Sequence, residues 1–242
     1  MKGLLSHLGV INCIGTDSQT FLQGQLTCDL KALTPGTSTL AAHCNLQGRI
    51  VSLSRLLHIA EGDYRLILPK NMVRIALDAL KKYAVFSKVT LTEGAPYLVG
   101  HDDGTISFST EKPAETDISH QWHQQDILAG IPAIYPETSG LFIPQRLNLV
   151  ELGAISFKKG CYLGQEILSR LYFKSTVKYH MVTAKLDRDV VLLKGEPVLD
   201  NTEKTCGHLV DQNDRYLLIE KLIESPLPLL IQGIRCNLLN ET

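Results

Sequence analysis

At 242 residues, with 44% apolar and 20% charged side chains, the chain is long enough to bury a sizeable core as one large domain or as a core with a smaller appendage. No apolar run approaches the ~20 residues of a membrane helix, and residues 1–10 run into polar Asn12 and Asp17 without a signal peptide's long apolar stretch, which excludes a membrane span and predicts a cytoplasmic protein. A net charge of −1 with scattered basic residues gives no strong direct nucleic-acid signal, and six dispersed cysteines without a C-x-x-C pair point to reduced thiols rather than disulfides or zinc.

In chain order, alternating apolar residues predict a strand over 4–14. Asp17 and Ser18 then cap a helix with Phe21, Leu22 and Leu26 on one face. Strands follow over 40–45, 50–59 and 64–68, with Gly48-Arg49 as a hairpin turn. Asn71 caps a helix over 72–83 striped by Val73, Ala76, Leu77 and Leu80, and a strand over 88–92 completes the order β-α-β-β-β-α-β. Strands in adjacent runs separated by single helices define an α+β fold of split β-α-β, ferredoxin-like units rather than a doubly wound sheet.

Residues 94–119 read as loops around short strands at 97–100 and 105–108, with a helix resuming near Ser119. Pro132, Pro136 and Pro144 punctuate an irregular stretch over 130–144, suited to a binding loop over an internal cleft. After Arg170 the texture changes to short strands over 177–186, 190–193, 205–210 and 216–219, the pattern of a small terminal barrel or sandwich. The expected division is 1–175 for the core and 176–242 for a β-barrel-like domain, with the boundary near Thr176.

Cys161 lies in KKGCYLGQE, between a short apolar run at 155–157 and a helix beginning near Gly164. Lys158, Lys159 and a helix N-terminus favour a thiolate, whereas a cysteine between glycines also suits packing in a tight turn; local context leaves both open. Trp122, the single tryptophan, suits either a core or the edge of a cleft where it stacks on a planar heterocycle. His120 and His123 share a helical face but lack a third spaced ligand, so no metal is expected. No P-loop and no G-x-G-x-x-G occurs.

Several stretches in register carry a family likeness: Phe21-Leu-Gln-Gly-Gln-Leu-Thr27 with Asp29, Ala41-Ala-His-Cys-Asn45 with Gly48, residues 80–90, Phe142-Ile-Pro-Gln145 with Asn148-Leu149, and Ile155-Ser-Phe-Lys-Lys-Gly-Cys-Tyr-Leu-Gly-Gln-Glu166. The last matches K-G-C-Y-x-G-Q-E, and together they resemble the YgfZ family of folate-binding, tRNA-modifying proteins related to the glycine-cleavage T-protein. The resemblance implies subdomains around a central channel that binds tetrahydrofolate, with a small C-terminal β-barrel closing one side. It implies that Trp122 contacts the folate, that Cys161 is the functional thiol, and that Leu8 stands where relatives carry a second aromatic.

By side-chain chemistry, Gln145, Asn148 and Gln165 are candidates for the pterin's polar edge, and Arg49, Arg146 and Lys159 for the carboxylates of the folate's glutamate tail. The carboxylate that T-protein relatives carry after the hairpin glycine is absent from Gly48-Arg-Ile-Val-Ser52, so aminomethyl transfer is not expected and the question of turnover stays open. The expected role is a folate-binding accessory protein for tRNA modification and the assembly or upkeep of iron–sulfur enzymes. A one-carbon transferase using Cys161 is the alternative, and a direct RNA-binding module the third.

Overall fold

The computed structural model describes residues 2–175 and 177–239; the expected boundary at Thr176 lies outside them. The predicted first strand is two strands. β1 (Gly3–Leu4) stops where the Leu5 amide donates to Leu98 O at 2.8 Å and Ser6 Oγ bonds Asp117, and after this turn β2 (Leu8–Ile14) joins a different sheet. α1 (Ser18–Gln25) follows, with Asp17 at its N-cap position, but that carboxylate accepts from the Lys88 amide at 2.8 Å rather than from the helix.

β3 (Ser38–Cys44), β4 (Ile50–Ala60), β5 (Asp63–Pro69), α2 (Val73–Lys81) and β6 (Thr90–Glu93) complete the main unit, whose antiparallel sheet has the order β3-β4-β5-β2-β6. Asn71 does not cap α2; it sits in a 3-10 turn over Lys70–Met72. Side chains alternate across each strand, so the sheet buries both faces. Ile11, Leu56, Leu66 and Leu68 pack with Phe21 and Leu22 of α1 and Ala76, Leu77 and Leu80 of α2. Val10 and Ile67 point the other way, toward Leu5, Leu98, Ile118 and Trp122. Since Val10 pairs with Ile67 and Ile67 with Arg55, the register places Arg55 on this second face.

That face is covered by β7 (Tyr97–Gly100) and β8 (Ile106–Ser109), which form a three-stranded sheet with β1 in the order β1-β7-β8, and by α3 (Ser119–Leu128). The chain between α3 and α4 (Gln165–Lys174) carries only one 3-10 turn, Pro144–Leu147, as the prolines predicted.

β9 (Tyr179–Leu186), β10 (Pro197–Leu199), β11 (Thr205–Asn213), β12 (Tyr216–Leu222), β13 (Leu229–Ile231) and β14 (Ile234–Leu238) close into a barrel, ordered β10-β11-β12-β9-β14-β13. The strand expected over 190–193 is instead a loop. Its alternating pattern has another cause: Leu192 plugs the barrel interior and its amide donates to Gln212 Oε1 at 2.8 Å, while Val191 and Leu193 face solvent.

The barrel docks on the core through a polar and apolar seam. Met181, Val210 and Leu218 join the main unit's apolar cluster. Asn148 exchanges two hydrogen bonds with the backbone of Met181, at 3.3 and 3.0 Å. Arg146 pairs with Glu220, whose side chain is fully buried, and lies 3.6 Å over the Tyr179 ring. Removing the guanidinium strands a buried carboxylate. Arg146→Met is therefore expected to lower unfolding stability in urea by about 3–5 kcal/mol, with much of the loss recovered when Glu220→Gln is added.

Candidate functional site

The second face of the main sheet, α3 and the barrel line a small, partly open central cavity of about 50 Å³. Its apolar wall includes Leu8, Leu53, Ile67 and Pro132, and its polar groups include Arg55, His7, His123, Asp126, Tyr135 and Asp211. A cleft of about 300 Å³ adjoins it, lined by Trp122, Ile118, Gln121 and Gln125, and Arg55, Asp126 and Ile131 line both spaces. Arg55 Nη2 and Asp126 Oδ1 meet at 2.5 Å at the junction. Burial raises the Asp126 pKa, against the opposing pull of Arg55.

Trp122 belongs to a buried apolar cluster and also walls the cleft. Its ring seats against Gly100, where a Cβ would come within 2.6 Å of the indole, so the close approach requires glycine. The buried indole Nε1 has no hydrogen-bond partner among the described residues.

The structure thus brings Leu8 and Trp122 to adjoining cavities, and places the other candidates elsewhere. Gln145 Nε2 donates to Leu168 O at 2.8 Å, Gln165 Oε1 accepts from the Tyr162 amide at 3.4 Å, and Asn148 ties to Met181; none of the three lines either cavity. Arg49 donates to Leu141 O at 2.6 Å, and Arg146 is paired with Glu220. Sequence reasoning missed Arg55, Asp126, Tyr135 and Asp211. Arg55 carried one readable signal, a lone charge on a strand face otherwise made of Val51, Leu53, Leu57 and Ile59.

The signature loop is built around Lys159. Its ammonium donates to the carbonyls of Gln23, Leu26 and Cys28 at 2.6, 2.6 and 2.7 Å, gathering the chain as it leaves α1, and lies 4.6 Å over the Tyr162 ring. Backbone bonds from Ser156 to Thr27 O and from Leu163 to Gly24 O hold the loop on both sides. Gly164, at φ +82°, packs against Asn45 O, where a Cβ would stand at 2.7 Å. Cys161 is left exposed at the crest and lines neither cavity. The other five cysteines are buried, and burial pushes the Cys13, Cys28 and Cys44 thiols up to about 12, 11 and 12.

Among the described residues no grouping of three or more His, Cys, Asp or Glu side chains is placed to hold a metal ion, and no helix is long and apolar enough to cross a membrane. No family model matches the chain. Among solved structures, the crystal structure of glycine cleavage system aminomethyltransferase T from Bartonella henselae matches with a TM-score of 0.68, covering 98% of this chain and 84% of that one at 13% identity; the fold is that of a T-protein. In sequence, the tRNA-modifying protein YgfZ of Buchnera aphidicola is 35% identical over 227 residues, 74% of this chain and 71% of the relative. That of Vibrio atlanticus is 30% identical over 239 residues, 82% and 74%. An uncharacterized protein of Haemophilus influenzae is 35% identical over 202 residues, 75% and 72%. The chain belongs to the YgfZ family of tRNA-modifying proteins.

Lys159→Met leaves three carbonyls without their donor and is expected to cost about 1–3 kcal/mol in urea unfolding at pH 7. Burial draws the Lys159 pKa down from its ordinary 10.5 to about 8, so between those values the unfolded chain holds the proton more tightly than the folded one. Stability from this group therefore rises with pH across that window, and the wild type's advantage over Lys159→Met should widen between pH 8 and pH 10.

Proposed function

We propose that this protein binds tetrahydrofolate in the cleft beside Trp122 and the adjoining central cavity, and acts as an accessory factor that supports tRNA modification through upkeep of iron–sulfur enzymes, with Cys161 as its functional thiol. The observation that carries the proposal is the meeting of two cavities at the Arg55–Asp126 pair, one of them walled by an indole whose Nε1 lacks a partner among the described residues. A pterin needs an apolar slot for its rings and a few fixed polar groups for its edge. Trp122 and Ile118 supply apolar wall, Asp126 an acceptor, and Arg55 donors beyond those engaged with Asp126. When bound, a reduced folate supplies a one-carbon carrier.

What the chain's own residues do there is bind, orient and exclude water. Ion pairing holds Arg55 and Asp126 in a fixed relation at the junction, and the loop carrying Ile131 and Pro132 roofs the slot. The stretch after Gly48 carries no carboxylate, which disfavours aminomethyl transfer. A one-carbon transferase acting through Cys161 requires the thiol at the cavity, whereas Cys161 stands exposed outside both. Its placement favours chemistry on a docked protein partner, separate from folate binding.

Because Trp122 is the single tryptophan, its emission reports the cleft alone. Adding tetrahydrofolate to the folded protein should quench it saturably; a flat titration rejects the site. Cys161→Ser should bind tetrahydrofolate as the wild type does and fail to restore tRNA thiolation by an iron–sulfur enzyme in cells lacking the wild-type copy. Full restoration by that variant removes the thiol from the mechanism.

A further inference from the structure

We infer, resting on the folate proposal only for the ligand's identity, that His123 is the proton acceptor of the central cavity, held by the barrel's Asp211 so that its Nδ1 lone pair is free for a ligand nitrogen that carries a proton. His123 comes from α3 and Asp211 from β11, so the pair exists only where core and barrel meet. His123 Nε2 lies 2.8 Å from Asp211 Oδ2, and the Tyr135 hydroxyl donates to the same oxygen at 3.0 Å while standing 3.2 Å from Nε2. The Asp211 carboxylate is 1% exposed, and its other oxygen accepts from the Gln212 amide at 2.7 Å and faces Lys194 Nζ at 3.6 Å.

An ionised carboxylate only accepts, so Nε2 is the nitrogen that carries hydrogen, and in a neutral imidazole the lone pair then falls on Nδ1. Nδ1 makes no hydrogen bond among the described residues, and the ring lines the cavity. The His7 ring stacks on it at 5.9 Å with 24° between planes, and burial, the largest influence on it, keeps His7 neutral by drawing its pKa to about 4. The charged groups around the pair are Arg55 and Asp126, which line the cavity, and Lys194, which stands beside Asp211.

From a protonated amine in the cavity, the proton passes to Nδ1 and the N–H bonding pair stays on the ligand nitrogen. The resulting imidazolium is compensated by Asp211. A tie between barrel and α3 would also keep the hydrogen on Nε2; what marks the proton acceptor is that a cavity ligand reaches Nδ1 and shields it.

The test is long-range proton–nitrogen correlation on the full chain labelled with ¹⁵N-histidine at neutral pH, with His123 identified by its loss in His123→Gln. The wild type should show hydrogen on Nε2 and a bare Nδ1. In Asp211→Asn the oxygen must stay toward the Gln212 amide and Lys194, so the new NH₂ meets Nε2 and the hydrogen should move to Nδ1. Hydrogen on Nδ1 in the wild type, or an unchanged tautomer in a folded Asp211→Asn, overturns the inference.

Should Asp211→Asn fail to fold, residue-resolved acylation of the wild type by diethyl pyrocarbonate decides. His123 should be modified, and a His123 left untouched while the exposed His120 reacts overturns the assignment. With tetrahydrofolate at about ten times its Kd, acylation of His123 should slow about tenfold. Acylation unaffected by folate, with the tautomer as expected, sinks the folate proposal for this cavity and leaves the dyad in place.

Discussion

Two buried carboxylates of the barrel, Asp211 and Glu220, set the terms on which this molecule is built. Their side chains are 1% and 0% exposed, and their closest charged or hydroxyl partners, His123 with Tyr135 and Arg146, come from outside the barrel. Burying an ion costs several kcal/mol unless partners replace its water. The barrel is therefore most stable docked on the core, and docking draws α3 and the 131–135 loop over the second face of the main sheet. The central cavity is what that arrangement leaves between them.

The signature loop has a different mechanical logic. Lys159 gathers three carbonyls at the exit of α1, and Gly164 nests against the hairpin of β3 and β4, so most of the motif is a strut that joins two otherwise distant parts of the chain. Cys161 is its outward point. The spaces lined by Arg55, Asp126 and Trp122 thus stand apart from the exposed thiol of Cys161.

Much of the architecture was legible in the sequence because it rests on local periodicity: the strand and helix order of the main unit, the irregular proline-rich stretch and the strand-rich terminal region. What was misread depended on contacts far along the chain. Residues 4–14 alternate continuously, yet partners at Leu98 and Asp117 break them into two strands, and Leu192 imitates a strand by plugging a barrel that no local window reveals. Among site residues, Leu8 and Trp122 reached the cavities, while Gln145, Asn148 and Gln165, chosen for their side-chain chemistry, bond to backbone instead. Asp126 and Asp211 lie 85 positions apart and line one cavity only through the docking of the barrel, which no spacing rule encodes.

Native-state hydrogen exchange across the seam tests the central claim most directly. If the buried carboxylates lock barrel to core, the amides of β9, β11 and β12 should open with the same free energy and the same denaturant dependence as those of β4 and β5. Barrel amides that exchange through their own lower-energy opening, while the main sheet stays protected, would contradict it.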